Sequence, residues 1–376
     1  MDLSSVVFSL IPILVLGILW CEKYPYRGRT SVDSEALKSK REKNRNPGYP
    51  YGWFRIADCD EIPEGGIVRR SVCDEEFIIV KNSYENFSEV ISVYEPYCPH
   101  NGTDLGRNGF IRNGKIVCQF HEWEFDCDDG ACTKIPYGDD CSMLANAKLK
   151  KAHIKVWNGC ILIWYHPDKI DPLWEPEWNP KIPLSDLKVL GNIAHNLACL
   201  VDDIHENSAD LAHFQFLHKS NLIPFLDSQW EGYTWNAFTH MGVGTIDHYF
   251  KLFGTNWLCS STEWRNIGPG IIAINTTMPL FGKMILIDTT TPRGPYHTER
   301  NITIYGSKRI SRLLFRLPCW MFFFVTMQDN RIWNWKKKME TPLYTKNEHE
   351  LARFRRWFKR FYVQPKVSVQ YDDKID

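Results

Sequence analysis

Two short motifs decide the fold of this chain: Cys98-Pro99-His100 and Cys118-Gln119-Phe120-His121. Each motif contributes one cysteine and one histidine, which are metal-binding side chains. Strand-like segments flank both motifs, with Ile91 to Tyr94 before the first and Trp123 to Phe125 after the second. This arrangement predicts two hairpin loops in a β-rich domain that close over a metal centre.

The spacing of the four ligands favours one metal centre over another. Zinc fingers group their cysteines together and their histidines together. In a Rieske [2Fe–2S] cluster, two thiolates hold one iron and two imidazoles hold the other, so each loop supplies one of each. We therefore predict that a [2Fe–2S] cluster binds to four residues, with zinc as the alternative: Cys98, His100, Cys118 and His121.

A second group of polar residues has helical spacing. Asn207, Asp210 and His213 are three residues apart, so on one α-helix the Asp210 carboxylate would reach the His213 ring and fix its tautomer. His213 and His218 lie roughly 140° apart around a regular helix. They can bind one metal only if the helix ends or widens between them. Two histidines, together with a carboxylate from elsewhere in the chain, would form the facial triad that binds non-haem Fe(II). Taken alone, the two histidines could also be ordinary core or surface residues.

Together these motifs resemble those of the Rieske non-haem iron oxygenases. Respiratory Rieske proteins carry an extra cysteine in each cluster loop, and here residues 101–117 and 119–126 contain none. The run from Glu206 to His218 looks like the family's mononuclear-iron signature, which implies that His213 and His218 bind Fe(II). The sequence departs from the family at Glu122, where a glycine is usual, so that the tight turn must form differently or the charge must face solvent.

The resemblance also implies the remaining site residues. The segment Gln328-Asp329-Asn330-Arg331-Ile332-Trp333 is similar to the family's pattern for the third ligand, so Asp329 is expected to complete the triad, ahead of Asp202 and Asp203. Asp210 and Asn207 are the candidate catalytic residues. In the family, the residue matching Asp210 bridges the cluster of one subunit and the iron of the next, which implies a homo-oligomer, most often a trimer.

The rest of the sequence predicts a membrane-anchored α+β protein. Ser5 to Cys21 is uncharged, and Lys23 and Arg27 follow it, so residues 1–21 are expected to be a single transmembrane anchor with the catalytic part in the cytoplasm, on the endoplasmic reticulum. A signal sequence or an interfacial helix are the alternatives. We predict three further parts: a juxtamembrane linker at 22–50, an all-β Rieske domain at 51–167, and a catalytic domain at 168–376. The resemblance implies a helix-grip-like antiparallel sheet with helices for the last.

Two further features bear on partners. The apolar run from Leu313 to Met327 precedes Asp329 and is either a core helix that delivers this ligand or a segment that dips into membrane lipid. Basic and acidic residues are equal in number, 45 each, which excludes a nucleic-acid partner held by overall charge.

Within the family, the anchor, the cluster loops and Ile135-Pro136-Tyr137 most resemble the cholesterol 7-desaturases of animals. The resemblance implies desaturation of cholesterol to 7-dehydrocholesterol for steroid hormone biosynthesis. The reaction would use O2 and electrons from NAD(P)H, delivered by a reductase or ferredoxin. Two alternatives remain open: a Rieske monooxygenase that hydroxylates another steroid, lipid or pigment, and a membrane-tethered electron-transfer protein without the second iron.

Overall fold

The computed structural model describes residues 19–44, 47–83, 89–138, 147–177, 186–218, 226–252, 255–278, 281–339 and 341–363. Most of the predicted membrane anchor, Ser5 to Cys21, lies outside these ranges, and only its last three residues are described. Among the described helices, none is both long enough and apolar enough to cross a bilayer.

The first domain is built from short antiparallel strands. They form three sheets with the orders β10-β11-β2, β3-β4-β5 and β6-β7-β8-β9. The elements up to its end are β1 (Tyr26–Thr30), α1 (Ser34–Lys43), β2 (Gly52–Asp58), β3 (Ile67–Val72), β4 (Glu75–Ser83), β5 (Glu89–Tyr94), α2 (Leu105–Asn108), β6 (Gly109–Arg112), β7 (Lys115–Cys118), β8 (Glu124–Asp126), β9 (Cys132–Lys134), β10 (Ile154–Trp157) and β11 (Cys160–Tyr165).

The second domain is one large sheet covered by helices. Strands β13 to β18 form an antiparallel meander, and β12 returns beside β18. The elements are β12 (Leu187–Leu197), α3 (Val201–Glu206), α4 (Leu211–Phe216), β13 (Leu226–Ala237), β14 (Met241–Leu252), β15 (Thr255–Ile267), β16 (Ile271–Met278), β17 (Gly282–Gly294), β18 (His297–Ser307), α5 (Arg312–Trp335) and α6 (His349–Phe358). The chain therefore has the predicted α+β architecture.

Strands β2 and β11 join the two domains because both of their faces are buried. Side chains alternate between the faces of a strand. Phe54 and Ile163 enter the core of the first domain, whereas Trp53 and Leu162 pack against Ile285 of the large sheet. Burial on both faces explains why these strands read as nearly continuous apolar runs.

Residues 22–50 are not the linker that their polar, basic sequence predicted. Strand β1 pairs in parallel with β12 and adds an eighth strand to the large sheet, with Thr30 opposite His195. Helix α1 buries Ala36 completely, and the Lys40 ammonium donates to the carbonyl oxygen of Trp333 at 2.7 Å. The prediction was wrong because an edge strand needs few apolar residues, so composition alone does not reveal it.

Helix α5 approaches the sheet closely. A Cβ atom added to Gly28 of β1 would lie 2.6 Å from the Phe323 ring, and one added to Gly191 of β12 would lie 2.7 Å from the Cys319 sulfur. The two glycines therefore make room for the underside of the helix. Asp329 lies on this buried side, so the apolar run forms the helix that delivers this residue. It is a core helix on one side only, because Leu314 and Trp320 on its other side are exposed.

Candidate metal centres

The two cysteine and histidine motifs lie in adjacent tight loops. Cys98 follows β5, and its backbone N–H donates to the carbonyl oxygen of Thr103 at 2.9 Å. Cys118 ends β7, and its N–H donates to the carbonyl oxygen of Trp123 at 3.0 Å, which closes the hairpin toward β8. The paired loops predicted from the sequence are thus formed.

Glu122 makes the turn that a glycine usually makes. Its φ is +53°, in the left-handed region that costs a non-glycine residue about 1–2 kcal/mol. Its N–H donates to the Cys118 carbonyl oxygen at 2.8 Å, and its carboxylate accepts from the Arg112 guanidinium at 3.3 Å. The turn therefore keeps its shape, and the extra charge is paired at the surface.

The donor atoms of the two loops fit a metal cluster. Both cysteines are buried, and the rings of His100 and His121 lie 4.7 Å apart. In the described part of the chain, the buried Nδ1 atom of His121 has no hydrogen-bond partner, as expected of an atom reserved for a metal. Burial, together with the neighbouring Cys118 thiol, raises the pKa of Cys98 to about 11, so the Cys98 thiolate needs the positive charge of bound iron.

The separation of these ligands argues against zinc. A tetrahedral zinc ion needs four ligand atoms about 2.0–2.3 Å from one centre. Within the described ranges, one group of three or more ligand side chains has its atoms within 4.8 Å of one another, and it consists of His213, His218 and Asp329. The four cysteine and histidine ligands do not converge on a single ion, as a two-iron cluster requires.

The histidine side of the cluster loops is at the molecular surface. His100 is exposed and stacks on Trp123, with the ring centroids 4.6 Å apart. The Trp123 indole N–H donates to the Tyr137 hydroxyl at 2.9 Å. Phe120 and Tyr137 are 60% and 62% exposed. An electron acceptor or donor can therefore reach the imidazole side from outside the chain.

The second group of ligands lies where a helix is interrupted. Helix α3 ends at Glu206, a 3₁₀ turn covers Asn207–Ala209, and Asp210 is extended with φ −116° and ψ 92°. Helix α4 then carries His213 and ends at Phe216. His218 follows that end, which confirms the expectation that the helix ends between the two histidines.

Three side chains converge from this segment and from α5. The Nε2 atoms of His213 and His218 are 3.0 Å apart, and they lie 3.5 and 3.3 Å from Oδ1 of Asp329. All three side chains are largely buried. Two imidazoles and one carboxylate that point at a common centre are the ligand set of a facial triad, which leaves other coordination positions open for O2.

The Nδ1 atoms of both imidazoles, on the opposite side of each ring from Nε2, make hydrogen bonds that fix the rings. Nδ1–H of His213 donates to the backbone carbonyl oxygen of Asp210 at 3.0 Å, and Nδ1–H of His218 donates to Oε1 of Gln328 at 3.2 Å. These bonds leave both Nε2 atoms free for a metal. The predicted bond from the Asp210 carboxylate to the His213 ring is wrong, because Asp210 lies outside a continuous helix and its carboxylate caps α4 by accepting from the His213 N–H at 3.1 Å.

Asn207 touches the triad directly. Its amide nitrogen lies 3.1 Å from Oδ1 of Asp329 and 3.2 Å from Nε2 of His213. Burial alone would raise the pKa of Asp329, but the hydrogen bonds with His213 and His218 outweigh it and hold the pKa well below its usual range. Burial lowers the pKa of His218, but Asp329 more than compensates and raises it. The carboxylate is therefore ionised and ready to bind a cation.

A hydrogen-bond network centred on His195 holds the part of α5 that carries Asp329, and it was not predicted from the sequence. Nδ1 of the buried His195 accepts from the Thr30 hydroxyl at 3.1 Å and from the Asn330 amide at 3.0 Å. Its Nε2–H donates to the Thr326 hydroxyl at 2.8 Å. Burial lowers the pKa of His195 to about 3, so the ring is neutral, as this bonding pattern requires. His195 thus ties β12 to residues on both sides of Asp329, and no motif or spacing signals it.

The alternative carboxylates lie elsewhere. The Asp203 carboxylate accepts from the backbone N–H of Leu200 at 3.1 Å and pairs with Lys336 at 3.5 Å. Asp202 pairs with Lys338. Both belong to an ion-pair cluster at the end of α5, whereas Asp329 lies with the two histidines.

Removing the acceptor on Gln328 should weaken the second metal site alone. In Gln328→Leu, the Nδ1–H of His218 loses its partner and the ring can rotate, so Fe(II) affinity should fall about 10–100-fold. Fe(II) titration of the mononuclear site measures this, with the visible absorbance of the cluster as an internal reference. Gln328→Glu keeps an acceptor and should keep the affinity. Equal affinities for Gln328→Leu and the parent would show that this bond does not position His218.

Comparisons with known families agree with both sites. Residues 52–152 match the Rieske [2Fe-2S] domain, and residues 163–362 match the 3-Ketosteroid 9alpha-hydroxylase C-terminal domain, which covers more than half of the chain. The chain belongs to the Rieske non-haem iron oxygenases. This oxygenase is therefore an oxidoreductase, and the interpretation as an electron-transfer protein without a second iron is excluded.

Several curated relatives align with nearly the whole oxygenase. Cholesterol 7-desaturase nvd of Xenopus laevis is 28% identical over 96% of this chain and 87% of the relative. The enzyme of the same name from Drosophila melanogaster is 28% identical over 90% of this chain and 81% of the relative. A bacterial relative, the oxygenase component of 3-ketosteroid-9-alpha-monooxygenase from Mycolicibacterium smegmatis, is 22% identical over 93% of this chain.

Solved structures share the fold of the oxygenase at low sequence identity. Dicamba monooxygenase bound to dicamba superposes with a TM-score of 0.64 at 15% identity, over 82% of this chain and 96% of that one. NdmA of Pseudomonas putida CBB5 with caffeine gives 0.64 at 13% identity, over 82% and 89%. These likenesses support the two-domain architecture.

Proposed function

We propose that this oxygenase is a sterol 7-desaturase that converts cholesterol to 7-dehydrocholesterol in steroid hormone biosynthesis. In this reaction the sterol loses two hydrogens at C7 and C8. O2 takes these two hydrogens, two electrons that originate in NAD(P)H and two protons, and leaves as two water molecules. Atoms and electrons balance without any further oxidant.

One observation carries the choice of substrate and reaction. The relatives named cholesterol 7-desaturase come from several animal groups, at 26–28% identity over 87–96% of this chain. The chain has both a complete triad and a full set of cluster ligands, which supports an O2-dependent reaction on that substrate.

The residues of the chain have separate roles in this proposal. His213, His218 and Asp329 would hold Fe(II), which supplies the site of O2 reduction. Nδ1 of each imidazole stays protonated because a carbonyl oxygen accepts from it. Aromatic rings adjoin this site: Phe214 lies 4.2 Å from the His213 ring and 5.2 Å from Trp230, measured between centroids. They provide the apolar surface that a sterol ring system needs and that excludes water.

The proposal includes a homo-oligomer, expected to be a trimer, and an electron-donating reductase or ferredoxin. The exposed imidazole side of the cluster loops supports transfer to another subunit. Asp210 would join that neighbouring cluster to the iron on His213, while its backbone carbonyl and capping carboxylate keep His213 in place. The uncharged segment before Cys21 supports a single-pass membrane protein with a cytoplasmic catalytic part on the endoplasmic reticulum.

A second candidate function is hydroxylation of a steroid ring. The match to the 3-ketosteroid 9alpha-hydroxylase C-terminal domain favours it, and the same ligands serve both reactions. Hydroxylation would place one oxygen atom of O2 in the product, whereas desaturation places none.

Product analysis tests the proposal. The full chain is expressed in cells that supply a reductase, labelled cholesterol is added, and sterols are analysed by mass spectrometry. We expect 7-dehydrocholesterol from the parent protein and none from His213→Ala, which lacks one iron ligand. A hydroxylated sterol that depends on His213 would favour the second candidate, and an absence of any sterol product would contradict both.

A further inference from the structure

The outer face of α5 is apolar and exposed. Five side chains that are three or four residues apart share this face, and each is between 40% and 70% exposed: Leu314, Leu317, Trp320, Met321 and Phe324. A solvated helix face normally carries polar residues. A contiguous apolar patch of this kind marks an interaction surface.

The opposite side of the same helix belongs to the catalytic site. Cys319 and Thr326 are buried against the sheet, and Asp329 enters the triad. The outer face lies one to four turns before Asp329 along the helix. The outer face and the iron ligand Asp329 are therefore parts of one helix.

The N-terminal end of the described chain contacts the first turns of α5. The residues at 19–23 are helical, and the Arg316 guanidinium lies 4.8 Å from the centroid of the Trp20 ring. The Glu22 carboxylate accepts from the backbone N–H groups of Arg312 and Leu313 at 3.1 and 3.2 Å. The last three residues of the uncharged sequence, 19–21, thus lie next to the start of α5.

Charge and aromatic residues around the face match a lipid surface. Trp20 is 56% exposed and Trp320 is 52% exposed, and tryptophan concentrates at membrane interfaces. Three basic residues near the start of α5 are exposed, namely Lys23, Lys308 and Arg309. A cavity of about 640 Å³ opens beside Leu314 and is lined by Lys283 and Arg309 together with Phe281. Apolar side chains ringed by cations suit acyl chains and anionic headgroups.

We propose that the outer face of α5 docks on an anionic lipid bilayer, beside the N-terminal segment. The first half of the helix that delivers Asp329, up to Phe324, would then rest on the membrane, and its C-terminal end with Trp335 would lie above the bilayer. A sterol could pass from the bilayer to the iron ligands along this helix without crossing bulk water. The route for the sterol rests on the proposed function, whereas the docking surface does not.

Quenching of tryptophan fluorescence by brominated lipid tests the docking. The full chain is reconstituted in vesicles of phosphatidylcholine and phosphatidylserine, with or without bromine on the acyl chains. The contribution of Trp320 is obtained by subtracting the fluorescence of the Trp320→Phe variant from that of the parent protein. Trp335→Phe is the matched control, because Trp335 is 55% exposed on the same helix, about 22 Å further along its axis. We expect the Trp320 signal to be lost in brominated vesicles and the Trp335 signal to remain.

Several quenching results would contradict the docking proposal. Equal quenching of both residues, or no quenching of Trp320, overturns the docking. Protection of Trp320 from both acrylamide and brominated lipid would show that a protein segment covers the face, either residues 5–18 or a second copy, and would also overturn the docking. These fluorescence measurements do not depend on enzyme activity. They can therefore show that the docking proposal is wrong, or right, whether or not the protein is a sterol desaturase.

The route is tested separately by kinetics. In Leu314→Asp and Leu317→Asp, the KM for sterol in vesicles should rise while kcat is unchanged. Phe238→Asp removes an exposed aromatic residue from another loop and should change neither. Unchanged KM in the α5 variants would overturn the route.

Discussion

Replacing Asp329 with alanine should abolish turnover and reduce the iron content from about three to about two atoms per chain. Asp329 is the sole carboxylate among the described residues that lies with both Nε2 atoms of His213 and His218, and its low pKa makes it an anion throughout the physiological range. Without it, two neutral imidazoles remain to hold a divalent cation. Iron quantitation, together with the visible spectrum of the cluster, measures the effect.

Asp202→Asn is the matched control for this prediction. Asp202 is also a largely buried carboxylate, but it pairs with Lys338 and lies outside the triad. We expect about three irons per chain and nearly full turnover in this variant. If Asp329→Ala retained the third iron, or Asp202→Asn lost it, the ligand assignment would be wrong.

The sequence was sufficient to predict the ligands because local spacing marks the four cluster ligands, and resemblance to family motifs marks the three ligands of the second iron. The five-residue step from His213 to His218 cannot lie on one face of a helix, and the structure ends α4 at Phe216, between them. Asp329 is far away in sequence and was found through its resemblance to a family motif. Geometry then brings it to 3.3 Å from His218.

The sequence was insufficient where a role depends on contacts between distant segments. His195 and Thr30 are 165 residues apart, and their hydrogen bond depends on the pairing of β1 with β12. The predicted hydrogen bond from the Asp210 carboxylate to the His213 ring is absent for a similar reason, because a break in the helix cannot be inferred from residues that are spaced as if it continued. The sequence also does not show that one side of α5 is exposed, because this depends on which side of the helix packs against the sheet.

Asp210→Asn should preserve both metal sites but reduce turnover about 100-fold or more. The Asp210 carboxylate caps α4, and asparagine caps helices equally well, so His213 should keep its position. What the substitution removes is the negative charge that would link the neighbouring cluster to this iron site. Stopped-flow measurement of cluster reoxidation by O2, with substrate bound, isolates that transfer.

A second capping aspartate provides the control for Asp210. Asp33 caps α1 by accepting from the backbone N–H of Ala36 at 3.0 Å, far from the iron ligands. Asp33→Asn makes the same chemical change and should leave cluster reoxidation at the parent rate. Undiminished transfer in Asp210→Asn would refute the bridging role.

Mixed oligomers test whether the electrons cross between subunits. Cys98→Ser removes a cluster ligand and Asp329→Ala removes an iron ligand, so each variant alone should be inactive. If the exposed imidazole side of one chain feeds the iron of its neighbour, co-expression of the two variants should restore part of the activity, because some neighbours then combine an intact cluster with an intact triad. Transfer within one chain would restore none, since no chain in the mixture holds both sites intact.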